Sequence, residues 1–358
     1  LGAVAGALGA GFVILPAWGP GGAVRLAAVL NLGAALILFA MPQTRVAVAT
    51  APSPEAEPPS APRRFPMWTL AALALLGGVA TMAQENALIR LLGLVVGGTP
   101  FVFALVVAAF VAAIAVSSLV VSRMSTIPPR ALFLTCAGSC AVWLALFPTY
   151  DTWPWLAHAM RFAAGEQGLG FGSYYALVGL VLTAGLFFAV APMGAVLPLA
   201  FHERRASLPG SGRVSGRLLA WSALGALVGS LGGGILLFYV IDLPRVLLVA
   251  PLLAAVMAWL AAPADGRWAR ATALGLIALT GCGFIWHPGF DPSRLAMGTY
   301  RMHKLTSVTF SGPRKFQTER MINRNLIHQE DGPLDSVAVK GSLFARAQPT
   351  LYPALAEH

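Results

Sequence analysis

The chain has 358 residues, 57% of them hydrophobic and 11% charged, against about 25% charged in soluble domains, with a mean hydropathy of +0.74. This excludes a soluble globular protein, and the lack of alternating ten-residue strands excludes an outer-membrane barrel. A net charge of +10 would suggest nucleic acid in a soluble chain, but the basic residues of 1–287 are all arginine and lie mostly between apolar blocks, so membrane topology accounts for them and no nucleic-acid partner is expected.

In chain order, apolar runs long enough to cross a bilayer lie near 1–17, 23–41, 67–91, 99–121, 131–148, 174–200, 218–241 and 246–262, with a borderline run at 270–287. They predict an all-α polytopic membrane protein whose first partner is the lipid bilayer. Leu1 is neither a Met nor followed by a charged stretch, so it resembles neither a translation start nor a signal peptide, and the chain is expected to be a fragment. Residues 42–66 form a linker: six prolines fall within 52–66 and almost nothing there can be buried.

An internal repeat organises the membrane region. Leu1-Gly-Ala-Val-Ala-Gly-Ala-Leu-Gly-Ala-Gly11 and Leu224-Gly-Ala-Leu-Val-Gly-Ser-Leu-Gly-Gly-Gly234 are identical at seven of eleven positions at an offset of 223. Gly/Ala-rich sequence inflates such identity, but both copies continue into an apolar run, a short break and another apolar helix, which favours two structural halves. The expected architecture is a major-facilitator-like two-half helical bundle, with 1–41 as the last two helices of an incomplete first half and 67–262 as a six-helix second half. Gly2 and Gly6, like Gly225 and Gly229, stand four apart and are read as helix-packing faces, with a substrate-lining role as the alternative.

Glu85 and Arg90 stand within an apolar span, flanked by Gln84 and Asn86. A charge at membrane depth is costly and faces partners or a cavity, so Gln84, Glu85, Asn86 and Arg90 form a candidate intramembrane polar site; the alternative is a helix end at the interface, from which Arg90 snorkels. Eleven arginines (45, 63, 64, 123, 130, 204, 205, 213, 217, 267 and 270) fall in alternate loops on one side, whereas Arg90, Arg161 and Arg245 point to the other. This bias places linker 42–66 and the arginine-rich loops in the cytoplasm. Residues 263–288 then hold an additional hydrophobic segment, and its crossing would put residues 289–358 outside the cytoplasm. That tail is water-facing, with all three lysines of the chain, and Thr306–Phe310, Ser336–Val339 and the Asp331-Gly332-Pro333 turn signal predict a small β-rich element.

No catalytic constellation stands out. Gly168-Leu-Gly-Phe-Gly172 follows no strand, so it does not read as a nucleotide loop. The six histidines are scattered, and Cys136, Cys140 and Cys282 sit in apolar blocks as packing residues, so neither a metal nor a cofactor site is expected.

Three motifs in order, Glu85-Asn-Ala-Leu-Ile-Arg-Leu-Leu-Gly93, Ala191-Pro-Met-Gly-Ala-Val-Leu-Pro-Leu199 and the stretch Gly212–Gly234, resemble the membrane part of fused, membrane-bound spermidine synthase-like proteins. In that family a two-half, transporter-like helical region precedes an aminopropyltransferase-like domain of methyltransferase type. Phe290-Asp-Pro-Ser-Arg-Leu-Ala-Met-Gly-Thr-Tyr-Arg301 is similar to the family's junction and 326–339 to its first β-hairpin. Where soluble members carry Tyr-Gln after the hairpin's Gly-Pro, this chain has Leu334-Asp335, which puts polyamine binding in doubt. The glycine-rich loop and acidic residues that would hold decarboxylated S-adenosylmethionine lie beyond the hairpin, so the resemblance implies no cofactor in this chain and no aminopropyl transfer by it. Three functions follow: membrane region of a spermidine synthase-like protein, non-catalytic subunit packed against other membrane-protein subunits, or small-molecule transporter. The expected location is a bacterial cytoplasmic membrane.

Overall fold

A computed structural model of the protein describes residues 2–41, 65–166, 170–205, 211–263, 266–286, 292–295, 297–302, 308–322, 325–331 and 336–341. Apolar segments in lipid satisfy their backbone only within themselves, so the apolar runs become helices. Among the described residues eight helical runs are long and apolar enough to cross a membrane. The protein is therefore an all-α polytopic membrane protein over this region.

The first run joins α1 (Gly2–Gly9) and α2 (Leu15–Ala40) through a π-helical turn, Ala10–Ile14. Two separate spans were expected here, and the helical path is interrupted between them at Gly19 (φ 67°, ψ 179°), a non-helical conformation that glycine reaches without Cβ strain, just before Pro20 removes a backbone donor. The other crossings are α3 (Met67–Val95), α4 (Pro100–Arg123), α5 (Ala131–Leu146), α7 (Gly170–Arg205), α8 (Ser211–Gly234), α9 (Leu243–Leu260) and α10 (Arg267–Trp286), with α6 (Trp153–Glu166) following α5 across the 3-10 turn Phe147–Thr152. Local chemistry starts two of them. Thr99 Oγ1 accepts from the Val102 amide and Asp242 Oδ1 from the Arg245 amide, each with proline in the first turn.

The core is built around α3, where Leu70, Leu73, Leu88 and Leu91 are fully buried. α8 lies along it, α9 packs on α3 and α5, α4 on α7, and α10 on α9. α1 lies against α4, while α2 has no buried residue. The helix ends sort into two groups. The segments 124–130 and 261–263 lie at the end where α3 begins; the segments 96–99, 147–166 and 235–242 lie at the end where α3 stops. α10 runs from the first end to the second in 20 residues, enough to cross at about 1.5 Å per residue.

Beyond α10 come α11 (Pro292–Leu295), a turn at Gly298 (φ 63°) into the 3-10 turn Thr299–Arg301, α12 (Pro313–Ile322), and an antiparallel pair, β1 (Asn325–Asp331) and β2 (Ser336–Gly341), with Asp331 opposite Ser336. The tail thus has helices that its β-like patterning did not foretell. The segment expected as a strand at Thr306–Phe310 is a turn over 308–310, and its first two residues, like 42–64 of the linker and 342–358, lie outside the described residues.

Candidate functional site

Glu85 stands four residues past Thr81, the midpoint of the 29-residue α3, hence about 6 Å from the middle of the helix at 1.5 Å per residue. The four polar residues singled out on this helix do not converge. Gln84 is buried and directed at the Tyr150 hydroxyl, although neither group reaches full hydrogen-bond geometry. Asn86 Nδ2 donates to the Ser230 carbonyl of α8 at 3.5 Å, and one turn on, Arg90 lies 3.7 Å over the ring of Phe238. Glu85, half-buried, takes a third direction. It shares the helix face of Gly78, Thr81 and Met82, by the three-to-four-residue period.

That face borders a cleft of about 490 Å³ between α3, α4, α7 and α8. Apolar side chains dominate it, with Thr81, Ser118 and Ser222 as its hydroxyls. Two prolines, Pro192 and Pro198, interrupt the hydrogen-bond ladder of α7 beside the cleft, and Pro198 lines it. Gly194 of α7 meets Ile114 and Ser117 of α4 at the same place, so closely that a Cβ there would overlap them.

The glycine faces fare unequally. Gly225 and Gly229 are buried on α3, where added Cβ atoms would overlap the carbonyl oxygens of Leu75 and Val79, and Gly233 does the same over Ala83. Gly2 and Gly6 are exposed, with nothing within 4 Å of where a Cβ would stand. Cys136 and Cys140 are buried free thiols in α5, Cys140 3.9 Å from Thr280 of α10. Among the described residues, no group of three or more His, Cys, Asp or Glu could hold a metal ion.

The densest polar constellation is one that sequence reading passed over, where the tail meets the end of the bundle. Asp151, 1% exposed, receives Arg294 Nη1 at 2.5 Å, and Gln317 Nε2 donates to the Asp151 carbonyl at 3.1 Å. Trp155 Nε1 donates to the Thr309 carbonyl at 2.9 Å, the buried His158 lies 3.3 Å from Thr309 Oγ1 and stacks on Phe316, and Arg161 Nη1 donates to the Tyr300 carbonyl at 2.8 Å. These partners come from α11, α12 and the turns beside them, and they clamp the tail onto α6 and the 3-10 turn. Within the aromatic loop Tyr150-Asp-Thr-Trp-Pro-Trp155, the one carboxylate, Asp151, was the signal available in the sequence. Comparison with models of protein families, with curated proteins and with solved structures finds no match to this chain.

Proposed function

We propose that the chain is the membrane region of a spermidine synthase-like protein, a two-half, major-facilitator-like bundle that carries the entry to an aminopropyltransferase-like segment and holds it at one membrane face. The observation that carries this reading is the clamp. Asp151, Trp155, His158 and Arg161 bind the tail to the end of the bundle opposite the loops that hold Arg123 and Arg130. With arginine-rich loops retained in the cytoplasm, the tail lies outside it. Decarboxylated S-adenosylmethionine is cytoplasmic in the resembled family, so a tail held there works without it, in keeping with Leu334-Asp335 in place of Tyr-Gln. The bundle's task is then to anchor and orient. In a cysteine-free background, single cysteines at Ser311 and Ser125, both exposed, should react differently with an impermeant thiol reagent on intact cells: Ser311→Cys labelled, Ser125→Cys protected. Protection of both would refute the placement.

A second reading, a small-molecule transporter, draws on the cleft beneath Glu85. Its floor at Thr81 would then be wet. Modification of Thr81→Cys by a small water-soluble thiol reagent favours transport, and inertness of that cysteine, with Ser125→Cys reactive in opened membranes, argues against it.

A further inference from the structure

On the outer surface of the bundle, α4, α5 and α7 enclose an open groove of about 420 Å³ whose surface is wholly apolar. Ser117 and Thr135 border it, but both hydroxyls are taken up by their own helices: Ser117 Oγ donates to the Ile114 carbonyl at 2.9 Å and Thr135 Oγ1 to the Leu132 carbonyl at 3.0 Å. A polar solute would lose its hydration there and find no partner, so the groove accepts hydrocarbon. Along α7 it extends from Phe187 to Leu199, about 18 Å at 1.5 Å per residue. That is close to one leaflet's share of a hydrocarbon core roughly 30 Å thick. Met124 and Pro128 line its end, so it opens at the membrane surface where the segment 124–130 lies.

Exposed apolar side chains are ordinary in a membrane helix, and this groove differs by the charge at its mouth. Arg123 stands three residues past Val120 and seven past Val116, on the row of α4 that lines the groove, and Arg130 stands one turn before Leu134 of α5. Both arginines are exposed, and residues 121–130 contain no acidic side chain. Among the described residues, neither guanidinium is paired with a carboxylate. Retention of the loop in the cytoplasm accounts for arginines somewhere within it, but not for their standing on the two rows that wall one groove. We infer that the groove binds an anionic glycerophospholipid, with one acyl chain lying along α4 and α7 and the phosphate held between Arg123 and Arg130. Basic residues at the mouth of an interhelical pocket select such head groups, and the guanidinium fork matches phosphate oxygens two at a time. The assignment is independent of the function proposed for the chain and of the side on which the tail lies.

The test places the full chain in nanodiscs of phosphatidylcholine containing a little phosphatidylglycerol with a diazirine in its acyl chain, followed by photolysis and peptide mapping. Adducts are expected on residues 116–135 and 187–199, displaced by unlabelled phosphatidylglycerol but not by inorganic phosphate. With Arg123→Gln and Arg130→Gln together, the amount needed for half-displacement should rise roughly 30-fold, about fivefold for each arginine. Val120→Trp, which fills the groove and leaves both arginines in place, should remove the adducts. Thermal unfolding in detergent keeps a misfolded variant from passing as a positive: without added lipid the double variant should melt with the parent, and phosphatidylglycerol should raise the unfolding temperature of the parent alone. Equal labelling by a phosphatidylcholine probe, labelling indifferent to the two arginines, displacement by inorganic phosphate, or cross-links from a diazirine amino acid at Phe188 to a second copy of the chain would each overturn the inference.

Discussion

Asp151 is almost fully buried at the edge of the membrane region, and Arg294, about one-third exposed, reaches it from 143 positions along the chain. A carboxylate so placed needs that partner, because burial of an unpaired charge costs more than the pair itself contributes. Asp151→Ala is therefore expected to weaken tail docking by roughly 1.5–3 kcal/mol, the worth of a hydrogen bond to a charged group, and limited proteolysis should cut the tail between α11 and α12 faster than in the parent protein. Unchanged cleavage would show that Trp155, His158 and Arg161 suffice. Nothing within the loop's own sequence identifies this partner, since a contact at such separation leaves no local pattern. Gln84, Glu85, Asn86 and Arg90 show the complementary limit: their depth in an apolar helix was readable, but the direction of each depended on which neighbour met that face.

Among whole elements, the close approach of α8 to α3 depends on having no side chain at Gly225, Gly229 and Gly233. Gly225→Val should push the helices apart and cost about 1–3 kcal/mol or more, as overpacking does, read as a lower unfolding temperature in detergent. Gly216→Val, with open space around it, serves as the control expected to change little. The apolar crossings were legible because lipid imposes one solution on a long apolar run. α6 was not, because its 14 residues mix Trp, His, Arg and Glu with apolar positions and it is held by α7 and the tail rather than by its composition. The interruption at Gly19 was legible as a break between two apolar runs. Glycine and proline mark where a helix is able to turn, and only packing decides whether it reverses or merely bends.

For the molecule as a whole, the tail and the segments 124–130 and 261–263 occupy opposite ends of the helical bundle. No aminopropyl transfer should be measurable from residues 1–358 supplied with putrescine and decarboxylated S-adenosylmethionine; turnover by a preparation of that mass would overturn the reading. The repeat was visible as sequence identity, but its unequal burial was not, since identical residues are docked in one copy and bare in the other. Composition specifies which surfaces are able to pack, and the neighbours present determine which of them do.

Arg245 stands at the start of α9, 3.1 Å from Asp242, and its Nε donates at 3.2 Å to the carbonyl of Phe284 near the end of α10. Part of that guanidinium's environment is thus supplied by a helix made later on the ribosome. A nascent chain that has delivered α9 but not α10 carries an arginine still lacking one acceptor, and the arrival of α10 completes both helix termini at once. That bond then tightens a pair of crossings that are already in the membrane, and Arg245→Met should lower the unfolding temperature of the full chain in detergent but leave a chain ending before Arg267 unaffected.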